Sequence, residues 1–413
     1  MKIGIISHWY DPEGGAAAGP GTIARALRDR GHDVHVVTGF PIYPRGEIFE
    51  GYRNRPYQRE VLEGVTVHRC AIYPSHDTSA AKRMANYLSF AASSSVVAPK
   101  VLGDVDVCYV YSSPVTTGFA AMALRSLRGV PYVMHVQDLW PDSVTASGFV
   151  GGRKAELTEK ALHAACTAMY RSAAHVAVIS PGMRTLLAER GAPLEKTSVV
   201  PNWAEERSFY PAERSDSRRE ALGITSPFTV MYAGNHGEMQ NLWVVLDAAE
   251  RLLDDPRIGF ALVGDGVLKQ ELVAAAEQRG LHNITFIEPQ PFSEMAAVLA
   301  CADAQIVSLK DEPLYRTTTP SKIQANLAAG QPIIAALTGD AAEVVRASGG
   351  TAVAPGDAAG LASGVQELAS LSPEQLAARG QRARAYYDST FSERSVGDAL
   401  EGLLAEHRRK GLS

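Results

Sequence analysis

The stretch Thr317-Thr318-Thr319-Pro320-Ser321-Lys322-Ile323-Gln324, running on to Gly330-Gln331-Pro332-Ile333-Ile334-Ala335, gathers groups that can hold a phosphate. Four hydroxyls stand before or at the start of a short helical pattern, and Lys322 falls in its first turn. The first turn of a helix leaves N–H groups without internal partners and attracts anions. Pro320 suits that turn, where a missing N–H costs nothing. Gly330 stands where the helix would end, and Pro332–Ala335 reads as a strand buried on both faces. An ammonium beside a helix N-terminus can stabilise charge on a departing diphosphate. The competing reading is a solvated lysine on an amphipathic helix.

Two glycine loops offer backbone N–H groups to an anion. Gly14-Gly15 follows the first apolar run, and Gly234-Asn235-His236-Gly237 follows a similar run later in the chain. Glycine lets a backbone approach a ligand closely. Gly14-Gly15 is not a complete GxGxxG fingerprint, so a nicotinamide site is disfavoured, and a plain tight turn competes at both loops. His135-Val136-Gln137-Asp138-Leu139-Trp140-Pro141-Asp142 closes another apolar run. A histidine at a strand's carboxyl end can donate to a sugar hydroxyl or a leaving oxygen, so His135 and Asp138 are catalytic candidates. The alternative is a satisfied structural histidine and an aspartate that caps a helix. No second ligand at metal spacing accompanies them, and no metal site is expected.

The elements that would position these groups form two series. Ile3–Ser7, a helix over 21–30 and Asp33–Thr38 make a βαβ unit, which implies a parallel sheet. Further strands are expected at Val65–Cys70, Val105–Tyr111, Tyr132–Val136, His175–Ile179 and Thr197–Val200. Residues 204–226 are polar and proline-punctuated, as an interdomain connection would be. A second series follows at Phe228–Ala233, Ile258–Val263, Asn283–Ile287, Ala304–Ser308, Pro332–Ala335 and Thr351–Ala354. The tail from Glu374 is helical and amphipathic. The expectation is an α/β protein of two doubly wound domains, 1–203 and 204–385, with 386–413 as a helical terminal segment. Ligands would lie at the carboxyl ends of the strands, in a cleft between facing domains.

Composition narrows the partners. The 413 residues exceed one ordinary core, and 46% hydrophobic with 21% charged residues is a globular balance. A formal net charge of −5 with no long basic run argues against nucleic acid. Cys70, Cys108, Cys166 and Cys301 are scattered, which fits a reducing cytoplasm. No charged-then-apolar leader pattern opens the sequence, and no run of membrane-spanning length occurs. The segment Lys82-Arg83 to Tyr87-Leu88-Ser89-Phe90 and Val96-Val97 mixes basic and apolar residues at helical spacing. Such a helix can lie in a membrane interface, though an ordinary packed helix reads the same way.

Taken together, these segments resemble glycosyltransferase family 4, retaining enzymes of the GT-B fold. The likeness rests on Tyr10-Asp11-Pro12-Glu13-Gly14-Gly15, Gly31-His32-Asp33-Val34, Val200-Pro201-Asn202, Tyr232-Ala233-Gly234-Asn235, Val263-Gly264-Asp265-Gly266 and Pro320-Ser321-Lys322-Ile323. Within the family, Gly39-Phe40-Pro41-Ile42-Tyr43-Pro44 and Asp138-Leu139-Trp140-Pro141 are most similar to the bacterial branch that builds capsule, colanic-acid or O-antigen repeats. The resemblance implies transfer of a sugar from a nucleotide diphosphate donor, a UDP-sugar by preference, with retention and without a metal or other cofactor. It implies a donor on the second domain, an acceptor on the first, and a last helix crossing back to the first. The acceptor would be a lipid-linked saccharide at the inner membrane face, or else a soluble small molecule. By position, Gly15 would lie near the donor phosphates, His135 by the transferred sugar and Lys322 on the diphosphate. Gly14, Asn235, His236, Gly237, Gln240, Thr318, Thr319 and Ser321 would complete the donor site, with Glu288 to Pro291, Gln290 among them, bordering the base largely through backbone groups.

The chain departs from the family at charged positions. Two glutamates common in the family fall at Thr317 and Ala325, so the ribose would need another partner, for which Gln324 is the candidate. An arginine and a lysine fall at Asn235 and Gln240, which leaves Lys322 as the phosphate cation. A sugar epimerase of the same fold would lack the Pro-Ser-Lys stretch. A non-catalytic sugar-nucleotide-binding subunit would bind the donor without turning it over.

Overall fold

The computed structural model describes residues 1–76, 79–140 and 153–409. The chain divides into two compact units, Met1–Pro201 with Gly397–Ser413, and Asn202–Val396.

In the first unit the strands are β1 (Lys2–Ile6), β2 (Asp33–Gly39), β3 (Tyr57–Leu62), β4 (Val65–Cys70), β5 (Val107–Ser112), β6 (Tyr132–Val136), β7 (His175–Val178) and β8 (Thr197–Val199). They form one sheet in the order β3-β4-β2-β1-β5-β6-β7-β8. All neighbours run parallel except β3 and β4, which form a hairpin. The central strand β5, Val-Cys-Tyr-Val-Tyr-Ser, is buried at every residue, as a parallel strand covered on both faces must be. The order reverses between β1 and β5, where a doubly wound sheet opens a crevice at its carboxyl edge. The end of the helix Glu393–Glu406 belongs to this unit: His32 Nε2 lies 3.0 Å from Glu401 Oε1, and Arg409 N donates to Asp106 O at 2.8 Å.

The second unit holds β9 (Phe228–Ala233), β10 (Ile258–Val263), β11 (Ile284–Ile287), β12 (Ala304–Ser308), β13 (Ile333–Ala336) and β14 (Thr351–Val353). The sheet is wholly parallel, in the order β11-β10-β9-β12-β13-β14, and its switch point lies between β9 and β12. One core packs β9, β10 and β12 against the helices Trp243–Arg251 and Ala358–Ala369. Another packs Ile323 and Leu327 of the helix Ser321–Ala328 against Tyr387 and Phe391.

Two features add to the expected pattern. Residues 204–226 contain the helix Asp216–Ala221, and Arg219 from it is buried and donates to Ser226 O at 2.5 Å. Arg214 pairs with Asp303 at 2.6 Å, so charge here fastens the segment to the second unit. Strand β3 was not expected, because its exposed and half-buried residues alternate and carry Gln58, Arg59 and Glu60 as an edge strand does.

Candidate functional site

At the switch point of the second unit, β9 ends in Gly234-Asn235-His236-Gly237. Glycine at 234 and 264 lets the β9 and β10 loops meet, since a Cβ on Gly264 would stand 2.0 Å from Gly234 O. Backbone bonds lock the approach: Gly234 N donates to Val263 O at 2.9 Å and His236 N to Asp265 O at 2.8 Å. On the other side, Ser308 Oγ at the end of β12 donates to Gln240 O at 2.6 Å. The loop is therefore held from both flanks.

Its side chains are left open. His236 is fully buried, and neither Nδ1 nor Nε2 makes a well-formed hydrogen bond. Burial is the main cause that pushes its pKa down, with the Val263 backbone pulling the other way. Gln240 Oε1 is likewise buried without a partner. A Cβ on Gly237 would meet Asn235 Nδ2 at 2.6 Å and Gln240 Oε1 at 2.8 Å, so both amides converge over that glycine. Buried polar atoms that lack partners are uncommon in folded proteins and ask for an explanation.

Lys322 reaches the same place from the helix Ser321–Ala328. A Cβ on Gly234 would stand 2.6 Å from its Nζ, and Nζ lies 5.3 Å from the Tyr232 ring centroid. No ion pair or hydrogen bond holds the ammonium among the described residues, and burial alone pushes its pKa below the ordinary lysine value. Pro320 caps this helix and Ser321, exposed, is its first residue, one position later than expected. Thr318 and Thr319 are half-buried in the extended approach.

Three donor-side residues are placed differently from one another. Gln324 is buried and donates from Nε2 to Asn202 O at 3.0 Å. One of its amide N–H groups braces the backbone beside Pro201. Glu288 is exposed and pairs with Lys269 at 2.7 Å, at a cavity of about 430 Å³ that Asp265 also lines. Gln290 Nε2 donates to Glu288 O at 2.9 Å, outside the cavity wall.

In the first unit, His135 lies inside β6 and is 1% exposed. Its Nε2 donates to Val200 O at 2.8 Å, so the bare Nδ1 accepts from Tyr109 O–H at 2.7 Å. Burial pushes its pKa down to about 4. Both nitrogens are taken, so the expected donation to a sugar hydroxyl gives way to a structural role joining β6, β5 and the end of β8. Asp138 is exposed and accepts from Ser113 Oγ at 2.5 Å. The cap reading for Asp138, and Pro141-Asp142 with it, lies outside the described residues. Gly14 and Gly15 are exposed, and Gly15 has φ +63°, a conformation that favours glycine.

Sequence reasoning missed what holds that glycine loop. Glu13 is buried at 2% exposure. Its Oε2 accepts from Tyr10 N at 3.0 Å, and its Oε1 from Ile42 N and Tyr43 N at 2.8 Å each. One carboxylate thus ties the loop after β1 to the loop after β2. Arg69, fully buried, adds a bond to Gly39 O at 3.0 Å and one to Asp11 O at 2.5 Å. The only signal in the sequence was an acid beside a glycine pair.

Two doubly wound units are the architecture of GT-B glycosyltransferases, and the chain belongs to that family. Residues 14–203 match the Glycosyl transferase 4-like domain, and residues 227–370 match Glycosyl transferases group 1. The chain is 34% identical over 345 residues to an Escherichia coli protein named as the colanic acid biosynthesis glycosyl transferase WcaI, covering 80% of this chain and 82% of that one. Among solved structures, sucrose-phosphate synthase from Thermosynechococcus elongatus matches with TM-score 0.74 at 18% identity, over 98% of each chain. Anabaena HepE, solved with UDP and glucose, matches with TM-score 0.69 at 18% identity, over 98% of this chain and 99% of that one. Among the described residues, no group of His, Cys, Asp or Glu can hold a metal ion, and no helix is long and apolar enough to cross a membrane.

Proposed function

We propose that this glycosyltransferase takes a nucleoside-diphosphate sugar, with UDP as the first candidate nucleotide, and transfers the sugar with retention to a lipid-linked saccharide in cell-surface polysaccharide assembly. One observation carries the donor reading: Lys322 Nζ reaches Gly234 at the carboxyl end of β9, and the Asn235 and Gln240 amides meet over Gly237 in the same loop. A diphosphate there meets the Lys322 ammonium, the N–H groups of Ser321 and Lys322, and the Asn235 amide. The likeness to WcaI supports the polysaccharide reading, and HepE, which binds UDP and glucose, supports UDP.

In the mechanism, the leaving phosphate oxygen takes the acceptor's proton on the same face of the sugar. The bond from the anomeric carbon to the diphosphate oxygen breaks as that to the acceptor oxygen forms, and the proton ends on the diphosphate. No protein nucleophile is needed, so rate comes from positioning and from the Lys322 charge. Metal independence follows from the same assignment, with the lysine and the helix N-terminus neutralising the leaving group. Peripheral contact with a membrane is supported by the helix Ala80–Val101, whose exposed face runs through Ala85, Leu88, Ala92 and Val96, with Lys82 and Lys100 exposed near its ends.

Calorimetric titration with UDP, GDP and dTDP, in the absence of divalent metal, tests the donor site. Binding of one in clear preference is expected; binding of none would overturn the reading. The anomeric proton coupling of the product reads retention directly.

A further inference from the structure

No ion pair or hydrogen bond holds the Lys322 ammonium among the described residues, so its place is set by the backbone that carries it. That backbone is short and lightly tethered. The helix Ser321–Ala328 has eight residues, and no side chain caps its N-terminus. Two residues after Lys322, Gln324 is 4% exposed and donates from Nε2 to Asn202 O at 3.0 Å. A bond across 122 residues of sequence therefore fixes the first turn.

The chain changes unit twice, between Pro201 and Asn202 and between Val396 and Gly397. Glu206 and Tyr387 fasten the second unit's ends of these two passages to each other. Ala204 N donates to the Tyr387 hydroxyl oxygen at 3.2 Å, and that hydroxyl donates to Glu206 Oε1 at 3.0 Å. The same Oε1 accepts from Glu393 N at 2.8 Å, at the first residue of the helix Glu393–Glu406. Tyr387 is fully buried. Burial, with the Glu206 carboxylate beside it, pushes the phenol well above the ordinary tyrosine value, so its O–H stays a donor. A hydroxyl that accepts one bond and donates another has a fixed direction. The Tyr387 ring shares one core with Ile323 and Leu327, so the clasp bears on the Lys322 helix through packing as well as through Gln324.

We infer that Glu206, Tyr387 and Gln324 are positioning residues for Lys322: they tie the two passages into one clasp and pass its setting to the turn that carries the ammonium. The inference rests on the donor reading and adds what holds the cation in place. A misplacement of about 1 Å costs on the order of a hundredfold in rate, because charge stabilisation depends on where the charge stands.

The test uses the full chain. Labelling with acetic anhydride, read by mass spectrometry, gives the reactivity of Lys322 beside that of Lys310, whose side chain is 43% exposed in the same unit. Tyr387→Phe keeps the ring and removes the hydroxyl; Glu206→Gln keeps the shape and removes the charge. Each is expected to change the Lys322 rate threefold or more and to leave Lys310 unchanged. Each is also expected to lower kcat about tenfold for nucleotide release from UDP-glucose, UDP-galactose or UDP-N-acetylglucosamine, with the nucleotide Kd little changed. In a Lys322→Ala background the same substitutions should cost nothing further, because their effect runs through the lysine. Glu206 is half-buried, so its variant serves if Tyr387→Phe does not fold. Unchanged labelling of Lys322 in the folded variants would overturn the inference. So would an equal loss of kcat in the Lys322→Ala background, the mark of a purely structural part. Failure of the parent to bind UDP, GDP or dTDP would instead overturn the donor reading, with the labelling still deciding the clasp.

Discussion

Gly234 and Lys322 occupy each other's space: a Cβ on the glycine would stand 2.3 Å from the lysine Cε. The glycine is what admits the ammonium to the end of β9, and its φ of +145° adds a backbone reason against any side chain. Lys322→Ala is therefore expected to lower kcat about a hundredfold or more, the scale of losing one charge-stabilising group, while the nucleotide Kd changes far less. Gly234→Ala should reproduce much of that loss with the lysine still present. Steady-state kinetics with calorimetry reads both; an unchanged kcat in Lys322→Ala would remove the lysine from the chemistry.

His135 yields a stability prediction in place of a catalytic one. Both its nitrogens are bonded, and its pKa falls from 6.5 to about 4 on burial. Below pH 6.5 the unfolded chain takes up a proton that the folded chain refuses. Stability is therefore full above that pH and is lost as pH falls toward 4, by on the order of 3 kcal/mol from this residue. His135→Ala should destabilise by about 2–4 kcal/mol, since it strands the Tyr109 hydroxyl and the Val200 carbonyl. Denaturant melts at pH 7.5 and 5 are expected to show a smaller pH dependence in the variant. Its kcat at low temperature, where it stays folded, should match the parent; a collapse of kcat alone would restore a role at the sugar.

The contrast between these residues shows what was legible in the sequence. Parallel strands such as Phe228–Ala233 and Ile258–Val263 announce themselves as continuous apolar runs, because both sheet faces are covered. Lys322 was legible because it follows a helix-start pattern, a purely local signal. The partners of His135 and Gln324 were not. They lie 26 to 65 residues away for His135 and 122 for Gln324, and no local spacing encodes them. His135 misled because a polar residue near a strand's end resembles one that faces a ligand. It lies one residue before the end of β6, where its ring stays inside the unit.

Glu13 is the residue whose loss should loosen the glycine loop. Three backbone N–H groups converge on its carboxylate. Glu13→Gln keeps the shape but turns an N–H₂ group toward one of those donors. A destabilisation of about 1–3 kcal/mol is expected from the unsatisfied buried donor. Limited proteolysis should show faster cleavage between residues 10 and 18 or 40 and 46. Cleavage as slow as in the parent would mean that Arg69 alone holds the loops.

The helix Ala80–Val101 tests the proposed membrane contact. Leu88 is 50% exposed and Val96 59%, eight residues apart on one face, with exposed Lys82 and Lys100 near the two ends. An apolar stripe between cations suits an interface of anionic lipid, where each basic residue near the surface contributes about 1 kcal/mol. The parent is expected to co-sediment with vesicles containing phosphatidylglycerol, and to release as salt rises, because the basic contribution is screened. Leu88→Asp with Val96→Asp should abolish co-sedimentation. Both side chains are at least half exposed, so nucleotide binding should persist. If the double variant still sediments, the stripe is solvated surface, and a lipid-linked acceptor must be reached through another face.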